Sequence, residues 1–323
     1  MKHLKMRPWA IAIFAMTLFV ACDKDDDVVV PPQPTTTIDF GTAPSSSLIT
    51  TGTVNVITEN TVRYHTFNFA AAPYTVTIVE KENDIVIVDL GPAPAFATEL
   101  EAYVDVINKP GAVIITHNHG DHYGGAGNFT DLDFYAENAV ASQLNNTTEF
   151  TDLYQGTVIG VTGSQTIGSL SYTFGSVANA ETGENGYVYN AAHKVIFVGD
   201  LVYNLTHPYL REYTPNDALD EIDNWIAGLD QLKIDFSDYH HLFVGHNDSR
   251  ADVETVIDEN IAYLQAAQGI ITGTQALSAG GTATTHQEVI DELALLYPTY
   301  FEGGLNLSLP DAFFPGDPGA DWF

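Results

Sequence analysis

The 323-residue chain has one cysteine, Cys22, and only 11 lysine and arginine residues against 42 aspartate and glutamate residues. The first scarcity excludes an intramolecular disulfide and any multi-cysteine metal site, so an ion bound here must be held by histidine, aspartate or glutamate. The second leaves a formal charge of −31. Such a surface repels nucleic acid and anionic lipid, because phosphate binding depends on Lys and Arg replacing counterions. Long apolar runs are lacking too: the stretch from Pro8 to Ala21 is too short and too early for an ordinary membrane span. No internal repeat of fixed period is present.

What stands at the amino terminus is Lys2, Lys5 and Arg7, then that apolar stretch, then Ala21-Cys22. The arrangement resembles a bacterial lipoprotein signal, with residues 1–21 as the signal peptide and Cys22 as the lipidated first residue. The resemblance implies an exported lipoprotein, held to the outer membrane through the lipid on Cys22, on the periplasmic or the cell-surface side. Asp23, Asp25, Asp26 and Asp27, followed by VVVPPQPTTT, read as a tether over residues 22–37. The acidic residues after Cys22 resemble surface-export tags, which favours the outward side. Residues 38–323 are then a single folded domain with a C-terminal helical extension, long enough for one large core.

Short β-rich stretches open that domain: TVNVIT, RYHTFNF, YTVTIVEK and DIVIVDLG, the last a nearly unbroken apolar run ending at Asp89 and Gly91. Residues 96–108 carry apolar side chains at helical spacing, stopped by Pro110-Gly111. GAVIIT is another buried strand. Further on, TVIGVTG, GSLSYTFGS, GYVYNAA and KVIFVGD read as four strands, the last again an apolar run ending in an acid, Asp200. Helices are expected over 216–232, 250–268 and 286–297, and HHLFVGH is a strand ending in His246. The pattern is a layered α/β protein whose polar residues collect at strand ends.

Four strand ends therefore offer polar groups: Asp89, the cluster VIITHNHGDHYGG at 113–125, Asp200 and His246. Sites form where strand ends converge, so groups far apart in sequence can meet. His117 and His119 are separated by one residue, and in an extended segment they point the same way and can grip one ion. Gly120 lets the chain turn and aim Asp121 and His122 at a second. Imidazole and carboxylate without thiolate suit zinc, with manganese and iron as competitors.

HNHGDH with Asp89 upstream, VGD at 198–200 and VGH at 244–246 resembles the metallo-β-lactamase superfamily over roughly residues 50 to 250. The resemblance implies a four-layer αβ/βα sandwich with a two-metal hydrolytic site. It implies that His117 and His119 bind the first ion, that Asp121, His122 and His246 bind the second, that Asp200 bridges them, and that Asp89 supports the ligands. One motif departs. Where the superfamily places a histidine-threonine pair, this chain has Glu181-Thr182 within ANAETGENGYVY. Glu181 is the expected replacement ligand; Glu184, or a weak first site with a single ion, are the alternatives. Two divalent ions against Asp121, Asp200, Glu181 and a bridging hydroxide sum to zero charge, and a less cationic site acidifies its water less.

The implied function is metal-dependent hydrolysis of a small-molecule carbonyl substrate by a metal-bound hydroxide, with two zinc ions and with Asp121 and Tyr203 as catalytic residues. Substrate class follows by exclusion. The β-lactam-cleaving members carry cysteine or serine where Asp200 stands. Nucleic-acid-processing members need basic surface and a domain inserted before the last histidine, and glutathione-thioester hydrolases need basic residues after it, where this chain has only Arg250. A neutral ester or lactone remains. Tyr203 lies at the offset from Asp200 where similar lactone-hydrolysing members carry a donor to the substrate carbonyl; packing on the sandwich is the alternative. His207 either lines the same mouth or caps a helix. Two other functions stay open: an amide or β-lactam hydrolase of the same fold, and a non-catalytic binding lipoprotein with an incomplete metal site.

Overall fold

In a computed structural model of the chain, residues 38–301 and Phe314 are described, apart from residues 60, 71–72, 93, 211–217, 248 and 251. The expected signal peptide, Cys22 and the expected tether lie outside the described residues, as does nearly all of the Pro/Gly-rich tail. Among the described residues no helix is long and apolar enough to cross a membrane.

Strands β1 (Gly52–Glu59), β2 (Val62–Phe69), β3 (Thr75–Glu80) and β4 (Ile85–Val88) form an antiparallel meander. Helix α1 (Pro94–Ile107) crosses over to β5 (Gly111–Ile114), and the short α2 (Gly120–Tyr123) follows. Strand β6 (Asp133–Glu137), helices α3 (Asn138–Asn146) and α4 (Thr148–Leu153), and strand β7 (Ile159–Val161) complete a seven-stranded sheet in sequential order, parallel from β4 onward. The second sheet has five strands in the order β12-β11-β10-β9-β8: β8 (Gly163–Ile167), β9 (Leu170–Ala178), β10 (Glu184–Asn190), β11 (Val195–Tyr203) and β12 (His241–His246). Helix α5 (Ala218–Asp235) links β11 to β12 in parallel, and α6 (Val253–Ile271) and α7 (His286–Leu296) follow.

Period-two alternation explains the layering. On β4, Ile85 and Ile87 face the core shared with α1, whereas Val86 and Val88 face a core between the sheets. On β11, Val195 and Phe197 face that same central core, and Ile196 and Val198 face a third, filled by Ile222, Trp225 and Leu229 of α5 and by Val256 and Leu264 of α6. Apolar side chains on both faces require helices on both outer sides, so the layers run helix, sheet, sheet, helix.

Two readings of the sequence change. TVIGVTG is not one strand: β7 ends at Val161 in the first sheet and β8 starts at Gly163 in the second, so the chain switches sheets at Thr162. Strand β6 and helices α3 and α4 were not legible, because each is short, at five, nine and six residues.

The outer face of the meander holds a buried ionic cluster remote from the strand-end histidines. Glu80 accepts from Arg63 Nε (2.6 Å), His65 Nε2 (2.8 Å) and Lys109 Nζ (2.7 Å), and His65 Nδ1 accepts from the Tyr103 hydroxyl (2.9 Å). Burial alone would push the Glu80 carboxyl up, but these partners bring it down to about 2. The folded value lies below the unfolded one near 4.5, so the stabilisation is full above pH 4.5 and is lost as pH falls toward 2. At about 1.4 kcal/mol per unit this is roughly 3 kcal/mol. Glu80→Gln is expected to cost about that much at pH 7, since it strips three cations or donors of their charged acceptor. Urea unfolding at pH 7 and pH 4 checks it: the variant should lose less on acidification than the parent.

Candidate metal centre

Every strand end that the sequence marked contributes to one place. Asp89 stands just past β4 with φ 59°, a left-handed backbone that aspartate tolerates better than most residues. Its carboxylate accepts from the Thr116 backbone N–H (2.9 Å), the Thr116 hydroxyl (2.8 Å) and His122 Nδ1 (2.8 Å). The hydroxyl of Thr116 in turn accepts from His117 Nδ1 (3.1 Å). Asp89 thereby fixes both rings in the tautomer whose Nε2 lone pair faces inward, directly for His122 and through Thr116 for His117.

Past β5, the chain bends at Asn118 and brings His117 and His119 together, their Nε2 and Nδ1 atoms coming within 3.0 Å. Glu181 approaches the same point, with its oxygens 3.8 Å from His117 Nε2 and 3.3 Å from His119 Nδ1. It lies in the turn between β9 and β10, and β10 is tied to the segment after β5 where the Gly186 N–H meets the Thr116 carbonyl (2.9 Å). Glu184 is not in this group; it starts β10, where burial and Glu137 raise its pKa. The turn after His119 is made by α2. A Cβ at Gly120 would meet nothing within 4 Å and its φ is not positive, so the turn does not require glycine there. Gly124 is different, since a Cβ would lie 2.6 Å from the Pro92 carbonyl carbon.

Asp121, His122 and His246 form the second group with Asp200. His122 Nε2 is 3.2 Å from Asp200 Oδ1 and 3.6 Å from Asp121 Oδ2; His246 Nε2 is 3.0 Å from Asp200 Oδ2 and 3.4 Å from Asp121 Oδ2. One ligating atom from each of His117, His119, Glu181 and Asp200 lies within 4.8 Å of the others, and the same holds for Asp121, His122, Asp200 and His246. Asp200 belongs to both groups. Each group can hold a metal ion, and mixed imidazole and carboxylate donors fit zinc, manganese or iron.

Without an ion, protons do the neutralising. Burial opposes charging His246, yet Asp200 and Asp121 raise it to about 9, and Asp200, Asp121 and Asp89 hold His122 well above its usual range. Asp200 is pushed up by burial but pulled far down by His246 and His122. His117 is lowered by burial and by its two histidine neighbours. An ion entering the second group therefore displaces protons.

The Tyr203 hydroxyl donates to Asp200 Oδ2 (2.8 Å), and its ring stacks on His246 at 5.0 Å. Burial, then Asp200, raises its pKa well above the usual value, so it remains a donor. His207 lies outside both groups: it is buried, shares a hydrogen bond with the Tyr263 hydroxyl (2.9 Å), and burial lowers it to about 4. Two further tyrosines carried no signal in the sequence. Tyr74 sits 5.0 Å from the His246 ring and Tyr209 5.9 Å, edge-on, from His119; both are half-buried. They flank two of the ligands that reach solvent, His246 at 11% and His119 at 16% side-chain exposure; Asp121 reaches it too, at 25%.

The family model of the metallo-beta-lactamase superfamily matches residues 71–151, taking in Asp89 and His117 to His122 but not Glu181, Asp200 or His246. No curated protein sequence matches. Among solved structures, a metallo-β-lactamase from Pontibacter korlensis superposes with a TM-score of 0.53 at 20% identity, over 66% of this chain and 99% of that one. The DIM-1 metallo-β-lactamase exposed to ceftazidime gives 0.52 at 15% identity, over 66% of this chain and 97% of its own. VMB-1 at pH 5.5 gives 0.52 at 14%, over 70% and 99%. The fold is the metallo-β-lactamase fold. In that fold both donor groups sit at one edge of the paired sheets, where the ends of β4, β5, β11 and β12 and the β9–β10 turn converge.

Proposed function

We propose that this metallo-β-lactamase-fold protein is a metal-dependent hydrolase of a neutral ester, lactone or related carbonyl compound, working with two zinc ions, or with manganese or iron. The observation that carries the reading is the pair of four-residue donor groups sharing Asp200. His117, His119, Glu181 and Asp200 would hold one ion, and Asp121, His122, Asp200 and His246 the other. When bound, such ions supply an activated water and polarise a carbonyl. Asp121, the most exposed of the carboxylates in the two groups, is placed to orient the nucleophile and pass its proton to the leaving group. Tyr203 offers a protonated phenol at the second group, for which a substrate carbonyl would compete with Asp200.

Neutral substrates suit the surroundings. Arg250, the single basic residue beyond His246, is engaged by the Asn204 side-chain oxygen (3.1 Å) and by Glu259 (3.6 Å). Tyr74 and Tyr209 offer ring faces and edges, not charge, to an incoming molecule.

Metal analysis with a substrate screen tests the reading. Two ions per chain, chelator-sensitive turnover of esters or homoserine lactones, and little cleavage of nitrocefin are expected. Nitrocefin cleavage without ester or lactone turnover would support a β-lactam hydrolase, as the names of the similar structures suggest. Protein free of metal after expression in zinc-rich medium would support the binding lipoprotein.

Glu181→His removes one negative charge from the donor set, leaving a more cationic site that acidifies its water further. The pH optimum of turnover is expected to fall by roughly one unit. A pH–rate profile with an unchanged or higher optimum would count against Glu181 as a ligand.

A further inference from the structure

Strands β11 and β12 pair in even parallel register from Val195↔His241 to Phe197↔Phe243, and then the register shifts, with Gly199 opposite Val244 and Tyr203 opposite His246. Three residues, Asp200 to Val202, thus stand opposite one, Gly245. The extra length is a bulge, and it carries the carboxylate shared by both donor groups. All of β11 is buried, so backbone groups lifted off the ladder need other partners.

Upstream, the bulge is held by the ladder and by Gly199, whose φ of 51° lies in the left-handed region and where a Cβ would sit 2.8 Å from Thr116 Cβ. Within it, Trp225 of α5 donates its indole N–H to the Leu201 carbonyl (2.9 Å); downstream, it is held by a side chain of α6. Asn260 of α6 accepts from the Tyr203 N–H (2.9 Å), and its amide donates to the Tyr203 carbonyl (2.7 Å) and to the Val256 carbonyl of its own helix (2.8 Å). Its carboxamide faces the backbone N–H and C=O of Tyr203 as a neighbouring strand would. Asn260 is 3% exposed. From Tyr203 the chain of contacts continues through its hydroxyl to Asp200 Oδ2 and through its ring to His246.

We propose that Asn260 is a positioning residue for the metal centre: it closes the bulge behind Asp200 and so sets how tightly ions are held there. The proposal rests on the two-ion reading above. A polar residue that only stabilised the fold would leave ion binding intact once the chain had folded, whereas this one acts on the orientation of the shared carboxylate.

The test uses the full chain. Zinc affinity is measured by competition with a chromogenic chelator, and the visible spectrum of the cobalt(II)-loaded protein reports ligand geometry. Asn260→Leu, of similar volume but without hydrogen bonds, is expected to lose about tenfold or more in zinc affinity and to change the cobalt spectrum. Asn260→Asp, which keeps the acceptor for Tyr203 N–H but not the donor, should fall between. Tyr203→Phe should weaken zinc as well, and the double variant with Asn260→Leu should lose less than the two single losses together. A lower melting temperature for either Asn260 variant, with zinc affinity and cobalt spectrum as in the parent, would overturn the proposal. Should Asn260→Leu fail to fold, Asn260→Asp decides alone by the same criterion. A parent protein binding neither zinc nor cobalt would remove the two-ion reading, and this inference with it.

Discussion

Alanine in place of Asp200 is expected to reduce turnover about a thousand-fold or more, since the ions supply several kcal/mol of transition-state stabilisation and each 1.4 kcal/mol is tenfold. On the two-ion reading, metal content should fall from two ions per chain toward none. The reason is topological: Asp200 is the one residue common to both donor groups, so its loss leaves three donors on each side rather than four. It also removes the acceptor of the Tyr203 hydroxyl and the carboxylate that does most to raise the pKa values of both His122 and His246. The fold should survive, because without Asp200 the His122 and His246 rings shed the protons it favours and rest as neutral imidazoles, leaving no unpaired buried cation. Elemental analysis and turnover measured on the same preparation, with circular dichroism as a control, decide the matter; retention of both ions would contradict the shared-ligand assignment.

The second large effect comes from a methyl group on a residue that ligates nothing. A Cβ at Gly245 would overlap Asp200 Oδ1 and lie 2.7 Å from His122 Cε1 and 3.0 Å from the Gly199 carbonyl carbon. Carboxylate, ring and bulge backbone all press on this one position, so none can yield without disturbing the donor groups. Gly245→Ala is expected to lower turnover and zinc affinity by about a hundredfold, and to cost about 1–3 kcal/mol of stability as overpacking does. Gly127→Ala is the control, because a Cβ there meets only Leu153 atoms at 3.8 and 3.9 Å. Equal effects of the two substitutions on zinc affinity would show that Gly245 owes nothing to the metal centre.

Where an acid or histidine ended an apolar run, sequence alone located it. Asp89 and His246 each close a buried strand, Asp200 interrupts the apolar run of one that continues to Tyr203, and the cluster from His117 to His122 is dense enough to stand out unaided. Glu181 was harder, since ETGE offers two glutamates three residues apart, and only the fold of the β9–β10 turn shows which one faces His117 and His119. Tyr74, Tyr209 and Asn260 gave no signal. A half-buried tyrosine or a single asparagine on an amphipathic helix is ordinary in any sequence, and its importance here comes from a neighbour far along the chain, 57 residues away for Asn260 and Tyr203.

The division between the two has a physical basis. Period-two and helical spacing of apolar residues determined the strands and helices that alternate along the chain, because burying those faces is what the unfolded chain cannot do. The scarcity of cysteine determined the donor chemistry. Tertiary structure decided which glutamate joins the histidines, where β11 bulges and which helix side chains hold that bulge. These are contacts between elements distant in sequence, fixed by packing and by the need of every buried polar group for a partner, and no local pattern in the sequence encodes them.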